Sequence, residues 1–304
     1  VNPKTIHTCK LTKEQAARLK ALLEARSYKF GEVPYADFAA EIPSIKVVFY
    51  TSGKLVLQGK GTAEFVEFLL EPEILMEARQ GYEHLLDPDL LLPRLGIDES
   101  GKGDFFGPLC IAGVYVNENI IKAWEGVGVK DSKSISSDRR IAEIADQIKS
   151  TPGCVYSVVP IGNEAYNRLY AKMRSVNTIL AWGHARVIEN LMGQSHRLKP
   201  MPVRAISDQF AREKSTVEKS LMAEGRKIEL VQRHKAESDI SVAAASILAR
   251  DEFVKRLHQL GQRLGLELPK GASLQVDEVA RKIVTTRGKE VLEVVSKMHF
   301  RTAF

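Results

Sequence analysis

The sequence predicts an α/β protein, a mixed sheet flanked by helices and preceded by a small α+β module. Three observations predict it. The chain has 304 residues, which at about 100–200 residues per domain suits two domains. Hydrophobic residues make up 44% and charged residues 27%, a balance that supports packed cores and argues against disorder, collagen-like repetition or coiled coil. The apolar pattern also changes along the chain: two helical stretches and a hairpin come first, then strands followed by alternating helices and strands.

The first module, residues 1–80, reads α-β-β-α. Residues 11–26 form a helix with Thr12 as N-cap, Glu14 in its first turn, and Ala16, Leu19, Leu22 and Leu23 on its apolar face. Residues 36–42 are extended, and residues 45–50 and 54–58 flank Thr51-Ser52-Gly53 as a hairpin. Thr62 caps a second helix that runs to about Leu70. Residues 81–94, punctuated by Pro88 and Pro93, read as a linker. In residues 95–304, strands are predicted over 95–99, 109–116, 154–161, 203–207 and 228–232, and helices over 177–192 and 240–260.

No apolar run approaches the roughly 18 residues of a membrane span, and the first residues lack the apolar core of a signal peptide. Cys9, Cys110 and Cys154 are odd in number and form no CxxC pair, against a disulfide framework or zinc site. The expectation is a cytoplasmic, likewise monomeric, chain that needs no membrane, with reduced thiols. Lys and Arg number 44 against 38 acids, a net charge of +6, compatible with a nucleic-acid partner but not proof of one. Residues 1–80 carry 11 basic and 10 acidic side chains, so most of the excess lies in the larger part.

The segment that carries chemistry is Asp98-Glu99-Ser100-Gly101-Lys102-Gly103-Asp104. Two carboxylates close a buried strand and a Gly-Lys-Gly turn follows. Neighbouring strand residues point to opposite faces, so Asp98 and Glu99 converge only where the strand ends or twists. Buried carboxylates are costly unless paired or bound to metal, and hard oxygen donors select Mg²⁺ or Mn²⁺. Asp208 closes a second apolar strand, and Glu237 and Asp239 stand just before the Ala-rich helix. Acids at three element ends suit two-metal phosphodiester hydrolysis. Asp239 also fits the N-cap of that helix, with Ser238 as the alternative, which favours Glu237 as ligand. As a cap alone, Asp239→Ala would lose about 0.5–2 kcal/mol and Asp239→Asn would be mild. The GxxxxGK[ST] spacing of a phosphate-loop NTPase is absent.

These residues resemble a known family. Asp98 to Asp104, continued by Phe106-Gly107-Pro108-Leu109, together with Val129-Lys130-Asp131-Ser132-Lys133 and Ala243-Ala244-Ala245-Ser246-Ile247-Leu248-Ala249, is similar to the signature of type 2 ribonucleases H. The lysine between the glycines, Asp208-Gln209-Phe210 and the extra N-terminal module resemble its ribonuclease HIII branch. The resemblance implies a ribonuclease H-like fold behind a TATA-binding-protein-like N-terminal domain. It implies Mg²⁺-dependent cleavage, with Mn²⁺ as substitute, of the RNA strand of RNA–DNA hybrids, leaving 3′-hydroxyl and 5′-phosphate ends. The family's four carboxylates fall on Asp98, Glu99, Asp208 and Glu237. Ser100, Gly101, Lys102 and Gly103 would then meet the substrate backbone and the 2′-hydroxyl that distinguishes RNA.

Ser132 and Lys133 precede a helix starting around Ser136 or Ser137, a phosphate site by position. Lys46, Tyr50, Lys54 and Lys60 alternate along the hairpin and its exit, where they can grip a nucleic-acid backbone or simply solubilise a sheet face. His184 and His234 read as packing histidines, and Trp124 and Trp182 as core or helix-face residues. A non-catalytic hybrid-binding module and a DNA nuclease of the same fold are the competing classes. Intact acids at 98, 99 and 208 argue against the first.

Overall fold

The structure is a computed structural model that describes residues 5–75, 88–129, 132, 135–209, 215–233 and 236–300. It divides into two compact units between Leu90 and Leu91.

The N-terminal unit is a five-stranded antiparallel sheet in the order β1-β5-β4-β3-β2, built from β1 (Ile6–Lys10), β2 (Lys29–Gly31), β3 (Ala36–Ile42), β4 (Ile45–Tyr50) and β5 (Lys54–Gln58). The helix α1 (Lys13–Ala25) is capped by Thr12, whose hydroxyl accepts from the Gln15 amide in a reciprocal capping box. Ala16, Leu19 and Leu23 of α1 pack on Val47, Phe49, Leu55 and Leu57. The side chains of Lys46, Tyr50 and Lys54 alternate with that buried set, so they share the sheet's other face. The sequence pattern missed β1 and β2. The first is an edge strand with no fully buried residue, and the second is three exposed residues long. The second helix also differs from expectation. Its α-helical part is only α2 (Thr62–Phe65), with Gly61 at the N-cap, and it continues as a π-helix over Val66–Leu75. Thr62 is its first residue rather than its cap, because its hydroxyl donates backwards to the Gly59 carbonyl at 2.8 Å. Pro72 offers no N–H to an α-helical ladder there.

The C-terminal unit is a mixed five-stranded sheet in the order β10-β9-β6-β7-β8. Its strands are β6 (Arg94–Ser100), β7 (Leu109–Val116), β8 (Val155–Ile161), β9 (Arg204–Asp208) and β10 (Glu229–Arg233). Strands β6, β7 and β8 are antiparallel neighbours, whereas β9 runs parallel to both β6 and β10. The helices are α3 (Glu118–Ala123), α4 (Asp138–Ser150), α5 (Asn163–Met173), α6 (Val176–Met192), α7 (Ser215–Glu218), α8 (Ile240–Leu264), α9 (Leu274–Arg287) and α10 (Lys289–Val295). Of these, α4, α6 and α8 were expected, and Ser137 caps α4. Arg94, the last residue of the expected linker, is instead the buried first residue of β6.

Two helices sandwich the centre of the sheet. A Cβ on Gly96 would lie 2.1 Å from the Ser241 carbonyl carbon, so only glycine admits the close approach of α8 to β6. On the opposite face α6 packs against β7, with Gly183 against Ile111. A second apolar cluster joins Phe105, Phe106, Phe253 and Leu257 to Val276, Ile283 and Leu292 of the last two helices. Cys110 and Cys154 are packing residues, and burial pushes both thiols up to about 12. Among the described residues no helix is long and apolar enough to cross a membrane.

Candidate active site

Strand register places the acids. Ile97 pairs with Ser207 across the parallel β6–β9 ladder, and both strands continue one residue further, to Asp98 and Asp208. Parallel neighbours carry side chains on the same face about 4.8 Å apart, so Asp98 and Asp208 stand side by side on the α8 face. Glu99 turns to the α6 face, where the buried His184 meets it with Nε2 3.0 Å from its Oε2. The strand ends there, and Asp98, Glu99 and Asp208 line one cavity of about 600 Å³ with the Ser100–Asp104 loop. The Oδ1 of Asp208 is buried and has no hydrogen-bond partner among the described residues.

The loop is shaped by Gly101, at φ +92°. A Cβ there would lie 2.3 Å from the Pro108 carbonyl and 2.8 Å from the Phe253 ring. Gly103 faces open space. Lys102 is 42% exposed at the side chain, its Nζ 4.0 Å from Glu99 Oε1. Asp104 accepts from the Gly271 amide at 2.6 Å. The buried Lys297 directs its ammonium at the carbonyls of Phe106, Gly107 and Pro108. Burial lowers the Lys297 pKa to about 8. The loop's exit is thus tied down on both Asp104 and the Phe106–Pro108 backbone.

Ser132 is buried at the same cavity, its hydroxyl 2.8 Å from that of Ser246. Lys133, Asp131, Phe210 and His234 lie outside the described residues. Arg250 and Lys270 also line the cavity, and both pair with Asp138. Burial pushes the Asp138 carboxyl up, but these two cations outweigh it and hold the pKa below the usual range. Sequence reasoning missed Arg250, Lys270 and the His184 contact. The only available signal was Arg250 one helical turn past Ser246.

Glu237 does not line this cavity. It occupies a one-turn 3₁₀ segment, Ala236–Ser238, between β10 and α8. Asp239 is the N-cap of α8, as expected. Its Oδ1 accepts from the Ser241 amide at 2.9 Å and hydroxyl at 2.6 Å. It also does more: Arg94 Nε lies 3.0 and 2.9 Å from its two oxygens, and Arg233 3.3 Å from one. Arg94 is 2% exposed. The mild outcome expected for Asp239→Asn is therefore corrected, because the amide would remove a charge that both Nε contacts of a buried guanidinium face.

The acids, all hard oxygen donors, with one buried oxygen of Asp208 lacking a donor, fit a divalent cation such as Mg²⁺ or Mn²⁺. Among the described residues, no group of three or more His, Cys, Asp or Glu is gathered closely enough to hold a metal by itself. The donor chemistry fits, while the ligand shell is not closed.

A sheet of this order, with carboxylates at the ends of its central strands and a Gly-Lys-Gly loop beside them, is the arrangement that the resemblance to type 2 ribonucleases H implies. The family model described as Ribonuclease HII matches residues 95–303, and a domain of unknown function, DUF3378, matches residues 7–80. The chain is 46% identical over 288 residues to a ribonuclease HIII of Chlamydia felis, covering 93% of this chain and 91% of the relative. It is 43% identical over 290 residues to that of Protochlamydia amoebophila, covering 94% and 92%. The crystal structure of Bst-RNase HIII in complex with Mn²⁺ superposes with a TM-score of 0.65 at 30% identity, covering 98% of this chain and 96% of that one. The chain belongs to the ribonuclease HIII family. It is a ribonuclease, and the expected ribonuclease H-like fold and N-terminal α+β domain are present.

Proposed function

We infer that the chain is an endonuclease that cleaves the RNA strand of RNA–DNA hybrids, leaving 3′-hydroxyl and 5′-phosphate ends. The observation that carries this reading is the β6–β9 register, which sets Asp98, Glu99 and Asp208 around one cavity beside the Ser100–Asp104 loop. Asp98, Glu99 and Asp208 are the metal-binding residues, and Glu237 is the fourth, since Asp239 is already engaged by Arg94 and the α8 cap. A divalent pair bound there would acidify water and stabilise the leaving oxygen. His184 fixes the orientation of Glu99, a partner role whose loss typically lowers activity or metal affinity 10–100-fold.

The remaining residues hold substrate. Lys102 lines the cavity with its side chain 42% exposed, which leaves its ammonium accessible to phosphate, and the exposed Gly103 backbone is bare enough to approach a ribose 2′-hydroxyl. Ser132 lines the same cavity, and its sequence neighbour Lys133 is assigned to substrate with it. We assign residues 1–80 to substrate binding through the open sheet face bearing Lys46, Tyr50 and Lys54, residues 81–93 to a linker, and residues 94–304, from the first residue of β6, to catalysis.

Cleavage of one sequence as hybrid, RNA duplex and DNA duplex, with Mg²⁺ and Mn²⁺ side by side, tests the reading. Only the hybrid should be cut, with products that ligate through a 5′-phosphate. Comparable cutting of the DNA duplex would overturn it in favour of a DNA nuclease.

Gly103 offers a sharper probe of the loop. Its Cβ position is open, so Gly103→Ala should leave the melting temperature within about 2 °C, a few tenths of a kcal/mol at this size. The same methyl would stand between backbone and substrate, and KM for the hybrid should rise about tenfold, roughly 1.4 kcal/mol. An unchanged KM would remove Gly103 from the substrate surface.

A further inference from the structure

A second cavity lies away from the acidic cleft and shares no lining residue with it. It has a volume of about 280 Å³ and sits between α5, α8 and α10. Along α8, Ser246, Arg250 and Val254 form one row at the cleft, whereas Arg256, Leu260 and Arg263 line the second cavity. At 100° per residue these are two different flanks of the helix.

We propose that this second cavity binds a phosphate group. Three guanidinium groups border it: Arg256 and Arg263, two turns apart on α8, and Arg168 from α5. Arg256 is paired with Glu252. Neither Arg168 nor Arg263 has an ion-pair or hydrogen-bond partner among the described residues. By contrast, Arg250 and Lys270 are neutralised by Asp138, and Lys149 and Lys255 by Asp251. Glu164 is the one acid in the lining and pairs with none of the three. Like charges left facing one concavity favour an anion, and the planar fork of arginine matches phosphate oxygens in pairs. The lining also holds Pro108, the partly buried Leu260 and the exposed Val294. The volume suits one phosphate-bearing unit, a pyrophosphate or mononucleotide, or a single backbone phosphate of a nucleic acid.

The inference does not depend on the cleavage reading, and two measurements on the full chain separate the two sources of phosphate. Calorimetric titration with pyrophosphate in EDTA should show binding that weakens at least tenfold in Arg168→Ala/Arg263→Ala. Hybrid affinity measured against salt gives the second arm, since each lost backbone phosphate contact should reduce the log–log slope by about 0.9. Loss of pyrophosphate binding with an unchanged slope assigns the cavity to a free phosphoryl ligand. A reduced slope assigns it to the nucleic-acid backbone. Arg281→Ala/Lys282→Ala, an equal loss of exposed charge elsewhere, should move neither. The proposal is overturned if both readouts match wild type, or if this control reproduces the effect.

Discussion

Replacing Asp98 by asparagine is expected to slow hybrid cleavage by about a thousandfold, some 4 kcal/mol of transition-state stabilisation. Hybrid affinity should change by no more than a few-fold, and the melting temperature should not fall. The three expectations have separate physical grounds. Asp98 stands beside Asp208 on the same face of adjacent strand ends, so it supplies charge that a cation needs there. Asparagine keeps the shape and removes that charge. Affinity for the hybrid should come mostly from phosphate contacts, here those proposed for Lys102 and the Lys46, Tyr50 and Lys54 sheet face, none of which the substitution touches. Stability is spared because asparagine has the shape of aspartate and position 98 is only partly buried. Single-turnover rates at saturating hybrid across a Mg²⁺ titration, binding in EDTA and thermal melts check each part. Near-wild-type turnover in Mg²⁺ would take Asp98 out of the catalytic set.

Strands whose residues are buried on both faces were plain in the sequence, and β7, wholly apolar, matched its predicted limits residue for residue. So did the β4–β5 hairpin around Thr51-Ser52-Gly53. Segments without such periodicity were not legible: β2 is exposed throughout, and α9 and α10 gain their apolar partners from Phe105 and Phe253, far away in the chain. Asp98, Glu99 and the glycine turn stood out because acids that close a buried strand have few structural explanations. His184 had a simple one, an internal helix position. Its partner Glu99 lies 85 residues away, in contact only because α6 covers the face to which Glu99 turns. Arg94 was taken for the end of a linker, since a lone arginine after proline carries no sign of the aspartate 145 residues later that buries it. Local pattern names the groups that can act, and only the packing names what holds them.

The separation of Glu237 from Asp239 gives the largest expected effect on stability. Asp239→Asn leaves the helix cap nearly intact, because asparagine caps as well as aspartate. It nevertheless removes the charge facing Arg94, which is buried and bound through Nε to both carboxylate oxygens. Breaking a buried pair on one side costs about 3–5 kcal/mol, or roughly 10 °C in the melting temperature of a unit this size. Assayed well below the lowered midpoint, the variant should still turn over. Adding Arg94→Met should recover part of the loss, since the buried guanidinium that faced the lost charge is then gone. Glu237→Gln should behave in the opposite way. Glu237 is only partly buried, on a single 3₁₀ turn, so its amide should melt with wild type while turnover falls by orders of magnitude and the Mg²⁺ requirement rises. Melting curves and Mg²⁺-dependent rates on the two amide variants decide the matter together. An active Glu237→Gln beside a folded but inactive Asp239→Asn would move the fourth ligand to Asp239, and would mean that Arg94 yields its carboxylate when metal binds.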